Sequence, residues 1–271
     1  MNITKIIKES HKAALILYFI SIRHNNQIYK CLPIIKYNMD KDGNLRIAII
    51  LDGNRRYAKK QSLKPWRGHK FGVDKVKDLL NWCQELGIKE LTLYTFSIDN
   101  FNRSEQEKKV LFVLFKENIR KLKDDEKLDK NGIKVRFIGR LHMFPKDIQK
   151  EMYEVMEKTK ENNNFKLNFA MAYGGRAEIV DATKKIIKKI KNNEINENDI
   201  DETLLNENLY LNSSIDILIR PGGEKRISDF LLWQIAYSEL FFIDKLWPEF
   251  SKEDLINIIE EFKSRERRFG R

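Results

Sequence analysis

The 271-residue sequence predicts a single α/β domain in which helices cover both faces of a central parallel sheet. Strand patterns and helix patterns alternate along the chain, which is typical of parallel sheets. Hydrophobic residues make up 42% of the chain, enough for one large core. Turn-forming and basic residues directly follow three of the strand patterns, as in the ligand-binding loops of such sheets.

The individual elements are predicted from hydrophobic period and turn residues. The short apolar run at 46–51 indicates a strand buried on both faces, and further strands are predicted at 91–96, 134–138, 166–172 and 215–219. Apolar residues at helical spacing mark 73–86, which ends before Gly87, and stretches near 145–161 and 176–192. The charged segment 105–130 is predicted to be a long helix or a helix pair, because Asn131-Gly132 would stop it.

Residues 1–44 are predicted to be an N-terminal extension, and residues 45–271 the α/β domain. The apolar run 13–22 follows three lysines, but it is too short to span a membrane. No small-residue cleavage site follows it, so an interfacial helix or a cap on the protein's own core is favoured over a secretion signal. The two cysteines, Cys31 and Cys83, lie outside any CxxC pair, which favours a reducing, cytoplasmic compartment.

Three polar segments lie at the carboxyl ends of predicted strands, where parallel sheets bind ligands. Segment 52–56 follows the first strand, 97–103 the second and 220–226 the last. Each alone would be an ordinary basic turn, but together they predict one convergent anion site. The formal net charge of +11 agrees with an anionic partner and leaves nucleic acid, anionic lipid and diphosphate open.

The residue types in these segments suit a diphosphate with a bound cation. Planar guanidinium forks match phosphate oxygens, and they are offered by Arg55, Arg56, Arg103, Arg220 and Arg226. Backbone N–H groups are expected to approach an anion closely at Gly53, Gly222 and Gly223. Asp52 would be repelled by the anion unless Mg²⁺ bridged the two. His69 is either a structural histidine or a hydrogen-bond donor to the anion, and the context of Glu239 indicates a solvated helix residue.

Several motifs, in order along the chain, closely resemble those of the cis-prenyltransferase family, which includes undecaprenyl and dehydrodolichyl diphosphate synthases. They are 52–60 (DGNRRYAKK), 68–72 (GHKFG), 96–104 (FSIDNFNRS), 168–179 (NFAMAYGGRAEI), 217–248 (ILIRPGGEKRISDFLLWQIAYSELFFIDKLWP) and 265–270 (RERRFG). The resemblance runs from about residue 46 to the C-terminus. It implies Mg²⁺-dependent condensation of isopentenyl diphosphate onto an allylic diphosphate, in a fold with an apolar tunnel for the growing chain.

The resemblance also implies a role for each matching residue. Asp52 would be catalytic and would hold Mg²⁺ together with Glu239, and Asn100 would position the substrate near the proton that is lost. The allylic diphosphate would be bound by Gly53, Asn54, Arg55, Arg56 and His69. Isopentenyl diphosphate would be bound by Arg220, Arg226 and Ser228. The other substrate-binding residues would be Tyr57, Phe96 and Phe101 at the apolar mouth, Ser97 and Arg103 after the second strand, and Arg268 and Gly270 in a tail that completes a partner's site.

The closest likeness is expected to eukaryotic dehydrodolichyl diphosphate synthases, because segment 123–130 resembles their longer charged insertion. That likeness implies a farnesyl diphosphate primer and a dolichol-type chain of more than eleven units for protein glycosylation. The chain carries both the aspartate signature and the C-terminal Arg-x-Gly of the family, which favours a homodimer. The apolar run and lysines of residues 1–44 favour peripheral membrane association, at the cytoplasmic surface of the endoplasmic reticulum for an enzyme of this kind. One alternative is a subunit of a heteromeric cis-prenyltransferase. The other, a basic nucleic-acid-binding protein, is disfavoured because it would need no catalytic acid such as Asp52.

Overall fold

Residues 44–265, the part of the chain that the computed structural model describes, contain a six-stranded sheet whose strands are all parallel. The strands are β1 (Arg46–Ile50), β2 (Glu90–Ser97), β3 (Ile133–Ile138), β4 (Phe165–Tyr173), β5 (Ile217–Pro221) and β6 (Glu239–Ile243). Their order across the sheet is β3-β4-β2-β1-β5-β6. The two central strands, β2 and β1, are joined by crossovers that contain helices, which is how parallel neighbours are connected.

Eight α-helices are described, and they cover both faces of the sheet. They are α1 (Asn54–Lys60), α2 (Gly68–Glu85), α3 (Glu105–Asp124), α4 (Lys127–Lys130), α5 (Lys146–Lys158), α6 (Gly175–Lys191), α7 (Glu202–Asn208) and α8 (Lys252–Ser264). Helices α2, α3, α5 and α8 contribute buried residues to the larger hydrophobic core on one face. Helix α6 lies on the other face, where its buried Glu178 accepts hydrogen bonds from the backbone N–H groups of Tyr210 and Leu211.

Strand β1 shows why the sheet is buried on both sides. Ile47 and Ile49 belong to the larger core, whereas Ala48 and Ile50 belong to a second hydrophobic cluster with Phe230. Successive residues of a strand point to opposite faces, so a strand packed on both sides has no polar alternation. The continuous apolar run of the sequence therefore corresponds to a central strand, and the predicted α/β fold with helices on both faces is confirmed.

Most predicted elements are present with small changes of boundary. Segment 105–130 is a helix pair, and Gly87 follows helix α2 with the left-handed backbone (φ +69°) predicted for it. Helix α1 and strand β6 were not predicted. Glu239 begins β6 and is therefore not the helix residue that its context indicated. The apolar run after it is only four residues long, and pairing with β5 supplies the order that local sequence does not.

Three sequence predictions lie outside the described residues. They concern the extension 1–44, of which only Asn44 is described, its membrane association, and the C-terminal residues Arg268 and Gly270. In the described part of the chain, 44–265, no helix combines the length and the apolar character needed to cross a bilayer.

Candidate active site

A cavity of about 720 Å³ lies between the larger-core face of the sheet and helices α2 and α3. Polar residues at the carboxyl ends of the strands line one end, among them Asp52, Ser97 and Arg220. The walls continue with apolar side chains, namely Val76, Leu80, Leu111, Phe115, Ile119, Ile133 and Phe137. Because Ile133 is the first residue of β3, the cavity extends along about one strand length, about 16 Å for five residues. One polar end and a long apolar body match the predicted tunnel.

Asp52 occupies the polar end and is held by its backbone and by two guanidinium groups. Its N–H donates to Ile50 O at 2.8 Å, and its carbonyl accepts from Trp247 N at 2.9 Å. Its carboxylate accepts from Arg56 Nη2 at 3.2 Å and from Arg220 Nη2 at 2.9 Å. The carboxylate therefore joins the loop after β1 to the end of β5, and it remains 27% exposed toward the cavity.

Arg220 is buried, yet its Nε donor has no partner among the described residues. Nη1 donates to Ser228 Oγ at 2.8 Å and to the Arg226 carbonyl, and Nη2 donates to Asp52. Nε, which is buried, forms no hydrogen bond within residues 44–265, and neither does the buried Oδ1 of Asn54. An unpaired guanidinium N–H costs free energy unless a ligand accepts from it. An anion bound beside Arg220 would supply that acceptor.

Gly222 leaves the space that the Arg56 side chain needs. It has φ +102°, and a Cβ there would lie 2.6 Å from Arg56 Nη2. Arg56 Nη1 also donates to the Gly222 carbonyl at 2.6 Å. The expectation that Gly222 and Gly223 offer N–H groups to an anion is wrong, because these groups donate to Lys245 O and Ile243 O at 2.8 and 2.9 Å. The two N–H groups instead bind the turn after β5 to the end of β6 and to the loop that follows it.

The loop after β2 fixes Asn100 through a reciprocal pair of hydrogen bonds. Asn100 N–H donates to Ser97 Oγ, and Ser97 N–H donates to Asn100 Oδ1, each at 3.2 Å. The register of β2 with β4 shifts on both sides of Phe96, just before this loop, and such irregularities redirect strand side chains. Since Oδ1 is occupied, the NH₂ group of Asn100 is the one left to face a ligand. The side chain can donate a hydrogen bond there, which suits positioning rather than base catalysis.

A buried carboxylate, Glu107, lies beside three further predicted site residues. Its Oε1 accepts from Arg103 Nη1 at 2.6 Å, lies 3.1 Å from His69 Nε2, and lies 3.9 Å from Arg55 Nε. Burial lowers the pKa of the His69 imidazole, although its hydrogen bond to Glu107 opposes that shift. Burial would raise the pKa of Glu107, but the His69 hydrogen bond and the Arg103 charge outweigh it and lower that pKa. Glu107 is therefore ionised and His69 is largely neutral near pH 7.

Aromatic side chains form the wall next to the polar end. Phe96 is 1% exposed and packs edge-on against Phe101, with ring centroids 5.0 Å apart. Phe112 packs against both of these rings. Tyr57 packs against Phe71 instead, with ring centroids 5.3 Å apart. Of the three predicted mouth residues, Phe96 alone is among the residues that line the cavity. Phe101 packs against Phe96 without lining the cavity itself.

The structure brings most of the predicted site residues together. Those lining one cavity are Asp52, Asn54, His69, Phe96, Ser97, Asn100, Arg103, Arg220, Arg226 and Ser228. Gly53, Arg55, Arg56, Tyr57 and Phe101 lie next to them in α1 and the adjoining loops. Glu239 is not brought to Asp52 within the chain, because it opens β6 at the amino end of the sheet and accepts from Arg265 at 2.5 Å.

Glu107 is the residue that sequence reasoning missed. The sequence contains two signals for it: Arg103 four residues earlier, at the spacing of a helical ion pair, and Ser104-x-x-Glu107, the pattern of a helix start. Both patterns are common on protein surfaces. Its contact with His69, 38 residues away, depends on how α2 and α3 pack.

The donor set at the polar end suits Mg²⁺ only with help from a substrate. Within residues 44–265 no group of three or more acidic, histidine or cysteine side chains could hold a metal. Asp52 supplies one carboxylate beside guanidinium groups that match phosphate oxygens. Mg²⁺ is commonly held by one or two carboxylates, substrate phosphates and water. The residues present therefore fit a Mg²⁺ that arrives with a diphosphate.

Comparison with known proteins agrees with this geometry. A family model described as putative undecaprenyl diphosphate synthase matches residues 50–270. A tritrans,polycis-undecaprenyl-diphosphate synthase (geranylgeranyl-diphosphate specific) of Pyrococcus abyssi is 50% identical over 83% of this chain and 86% of its own length. The protein of the same name from Methanopyrus kandleri is 42% identical over 90% of this chain and 92% of its own.

Two solved structures resemble the fold. Lavandulyl diphosphate synthase from Lavandula x intermedia, solved in complex with dimethylallyl diphosphate, has a TM-score of 0.80 at 34% identity and covers 84% of this chain and 99% of its own. A probable undecaprenyl diphosphate synthase from Campylobacter jejuni has a TM-score of 0.70 at 33% identity, with the same coverage.

Gly222→Ala is expected to weaken the binding of inorganic diphosphate, because the added methyl group displaces Arg56 from Asp52. Loss of one charge-assisted hydrogen bond predicts roughly a tenfold rise in the dissociation constant, measured by calorimetry. Gly87→Ala is the control: Gly87 also has positive φ, but a Cβ there meets nothing within 4 Å. Equal affinities for the two variants would contradict the role given to Gly222.

Proposed function

The chain belongs to the undecaprenyl diphosphate synthase family of cis-prenyltransferases, and we propose that it elongates an allylic diphosphate with isopentenyl diphosphate in a Mg²⁺-dependent reaction. The observation that carries this proposal is the placement of Asp52 between two arginines at the polar end of a long apolar cavity. Diphosphate head groups suit that end, and a prenyl tail suits the apolar body, since leaving it in water costs about 0.8 kcal/mol per CH₂.

In the proposed reaction the allylic C–O bond breaks and its electron pair leaves with the diphosphate. The double bond of isopentenyl diphosphate forms the new C–C bond with the allylic carbon, and a proton is then lost to a diphosphate oxygen. Bound Mg²⁺, held by Asp52, would neutralise charge on the departing diphosphate. Arg56 and Arg220 are preorganised to stabilise the same charge through their fixed hydrogen bonds. Asn100 orients the isopentenyl group, because its oxygen is already engaged by Ser97 N–H.

Asp52→Ala is expected to lower incorporation of labelled isopentenyl diphosphate by about a thousandfold or more, because it removes the carboxylate that would hold the metal. The variant should remain folded, with a modestly lower unfolding midpoint because buried Arg220 loses the Asp52 acceptor. Asp78→Ala serves as the control, because Asp78 is an exposed acid of α2 whose one ion pair within residues 44–265 is with Lys75. A folded Asp52→Ala enzyme with near wild-type turnover would rule out the assignment.

We further propose a homodimer in which Glu239 serves the site of the partner chain. Glu239 lies about 16 Å along the strands from the level of Asp52 and two strands across, too far to share an ion with it. It begins the edge strand β6, where Leu240 is 41% exposed, and uncovered apolar edges invite pairing with another chain. This arrangement reconciles the metal-binding role implied for Glu239 with its position.

Mixing two inactive variants tests that arrangement. Asp52→Ala and Glu239→Ala are each expected to be inactive, but a mixed dimer would carry one complete site, with Asp52 from one chain and Glu239 from the other. Random reassembly after mild unfolding should then restore about a quarter of wild-type activity, since half of the dimers are mixed and each has one good site. No restoration, with dimers demonstrated by sedimentation, would place both residues in the same chain's site or remove Glu239 from it.

We propose geranylgeranyl diphosphate as the primer and an eleven-unit product, in place of the farnesyl primer and longer dolichol-type chain expected from the sequence. The support is the name shared by relatives up to 50% identical, which specifies geranylgeranyl diphosphate and an undecaprenyl product. These relatives are archaeal and do not show the expected closeness to eukaryotic enzymes. The charged segment 123–130 forms the end of α3 and the one-turn helix α4, and Leu128 packs into the core there.

A competition experiment between the two primers, together with the length of the product, tests this proposed specificity. With farnesyl and geranylgeranyl diphosphate at equal concentration, kcat/KM is expected to be higher for geranylgeranyl diphosphate. Chromatography of the dephosphorylated products should show a maximum at eleven isoprene units. A preference for farnesyl diphosphate, or products longer than eleven units, would instead support the dolichol-type enzyme that segment 123–130 indicated.

A further inference from the structure

Glu107 occupies a position that its local sequence does not explain. Ser104 caps helix α3 by accepting from Glu107 N–H, as the Ser-x-x-Glu pattern predicts. In a full capping box the glutamate side chain would return to the N–H of Ser104, but no such bond forms within residues 44–265. The side chain instead turns to His69 and Arg103, and it is only 7% exposed. Helix capping therefore does not account for its burial.

The carboxylate lies behind the cavity wall rather than in it. His69 and Arg103 line the cavity, and Glu107 contacts both from the far side. Its three neighbours come from three different elements: Arg55 from α1, His69 from α2 and Arg103 from the loop before α3. The guanidinium groups of Arg55 and Arg103, 3.9 and 2.6 Å from Glu107 Oε1, would repel one another unless an anion lay between them. Glu107 is that anion, and removing it would leave the group without a common anchor.

Glu107 also selects the tautomer of His69. Because Oε1 is an acceptor only, the ring nitrogen 3.1 Å away, Nε2, must carry the hydrogen. Arg103 Nη1, 3.4 Å from the same nitrogen, donates to Glu107 and cannot also donate to a protonated Nε2. Nδ1, which forms no hydrogen bond within residues 44–265, then carries the lone pair of the ring, and it can donate to an anion only after taking up a proton. Without the carboxylate, Arg103 could donate to Nε2 and reverse the tautomer.

We propose that Glu107 is a positioning residue for prenyl transfer: it fixes the tautomer of His69 and the direction of Arg103, so that Arg103 presents its remaining N–H groups to the diphosphate and Nδ1 of His69 can take up a proton and donate it in a hydrogen bond to the same group. This inference rests on the proposed function for its kinetic consequence, but not for the tautomer. Glu107 acts through its two neighbours, because no part of it lines the cavity.

A matched pair of variants distinguishes the effect of the hydrogen-bond acceptor of Glu107 from the effect of the size and shape of its side chain. Glu107→Gln keeps an acceptor oxygen at the same reach, whereas Glu107→Met keeps the length and helix preference without any acceptor. If Glu107→Met does not fold, Glu107→Asp replaces it, because its carboxylate is withdrawn by one methylene. Glu105→Gln and Glu105→Met are the controls: Glu105 lies in the same helical turn, is 80% exposed and pairs with Lys108.

Nitrogen NMR of the ¹⁵N-labelled imidazoles gives the first readout, with the His69 signals assigned by a His69→Asn variant. We expect the Nε2–H tautomer in the wild type and in Glu107→Gln, and loss of that preference in Glu107→Met or Glu107→Asp. The result needs no substrate, so it stands even if the proposed reaction is wrong. An unchanged tautomer in the variant without the acceptor would overturn the proposal.

Kinetics gives the second readout. We expect kcat to fall by about tenfold to a hundredfold in Glu107→Met, because small displacements of positioning groups have effects of that size. Glu107→Gln should recover most of this loss, and the Glu105 variants should match the wild type. The melting temperature of each variant separates misfolding from misplacement. If Glu107→Gln were as impaired as Glu107→Met, or Glu105→Met as impaired as either, the positioning role would be refuted.

Discussion

The contact between Asp52 and the two guanidinium groups of Arg56 and Arg220 organises the rest of the site. It joins the ends of two adjacent parallel strands, and each partner is fixed by further hydrogen bonds to Gly222 and Ser228. The two arginines more than compensate the negative charge of the partly buried Asp52 carboxylate, so this end of the cavity has a net positive charge. An arriving diphosphate must therefore exchange contacts with this cluster rather than enter an empty pocket. In the proposed reaction, Asp52 would hold Mg²⁺, whose charge would replace that of the arginines on this carboxylate.

The cavity follows from the same sheet. Parallel strands place their carboxyl ends together, so polar loops cluster at one end while the strand bodies and helices α2 and α3 supply apolar walls. A substrate with a charged head and a long hydrocarbon tail has the same division. Phe96 lies at the junction, where the irregular pairing of β2 turns the chain from apolar wall to polar loop. The fold thus separates diphosphate chemistry from chain accommodation without a second domain among the described residues.

The sequence was most informative where burial is continuous. Strands β1 and β5 and the loops after them could be predicted, because an unbroken apolar run followed by glycine and arginine has few other meanings. Strand β6 was missed, since a short, half-buried edge strand depends on its neighbour for order. Missing it caused two further errors, the helical context given to Glu239 and the free N–H groups assigned to Gly222 and Gly223. Glu107 was missed because helix packing, not local pattern, brings it to His69.

The most direct test of the account uses the wild-type chain and no variant. Radiolabelled isopentenyl diphosphate is mixed with geranylgeranyl diphosphate, with Mg²⁺ or with excess chelator, and label is counted in the butanol-extractable prenyl product. We expect label in the product only when both diphosphates and Mg²⁺ are present, with diphosphate released in equal amount to the isopentenyl units added. Correctly folded protein that incorporates no label, or that does so equally in the presence of chelator, would contradict the account.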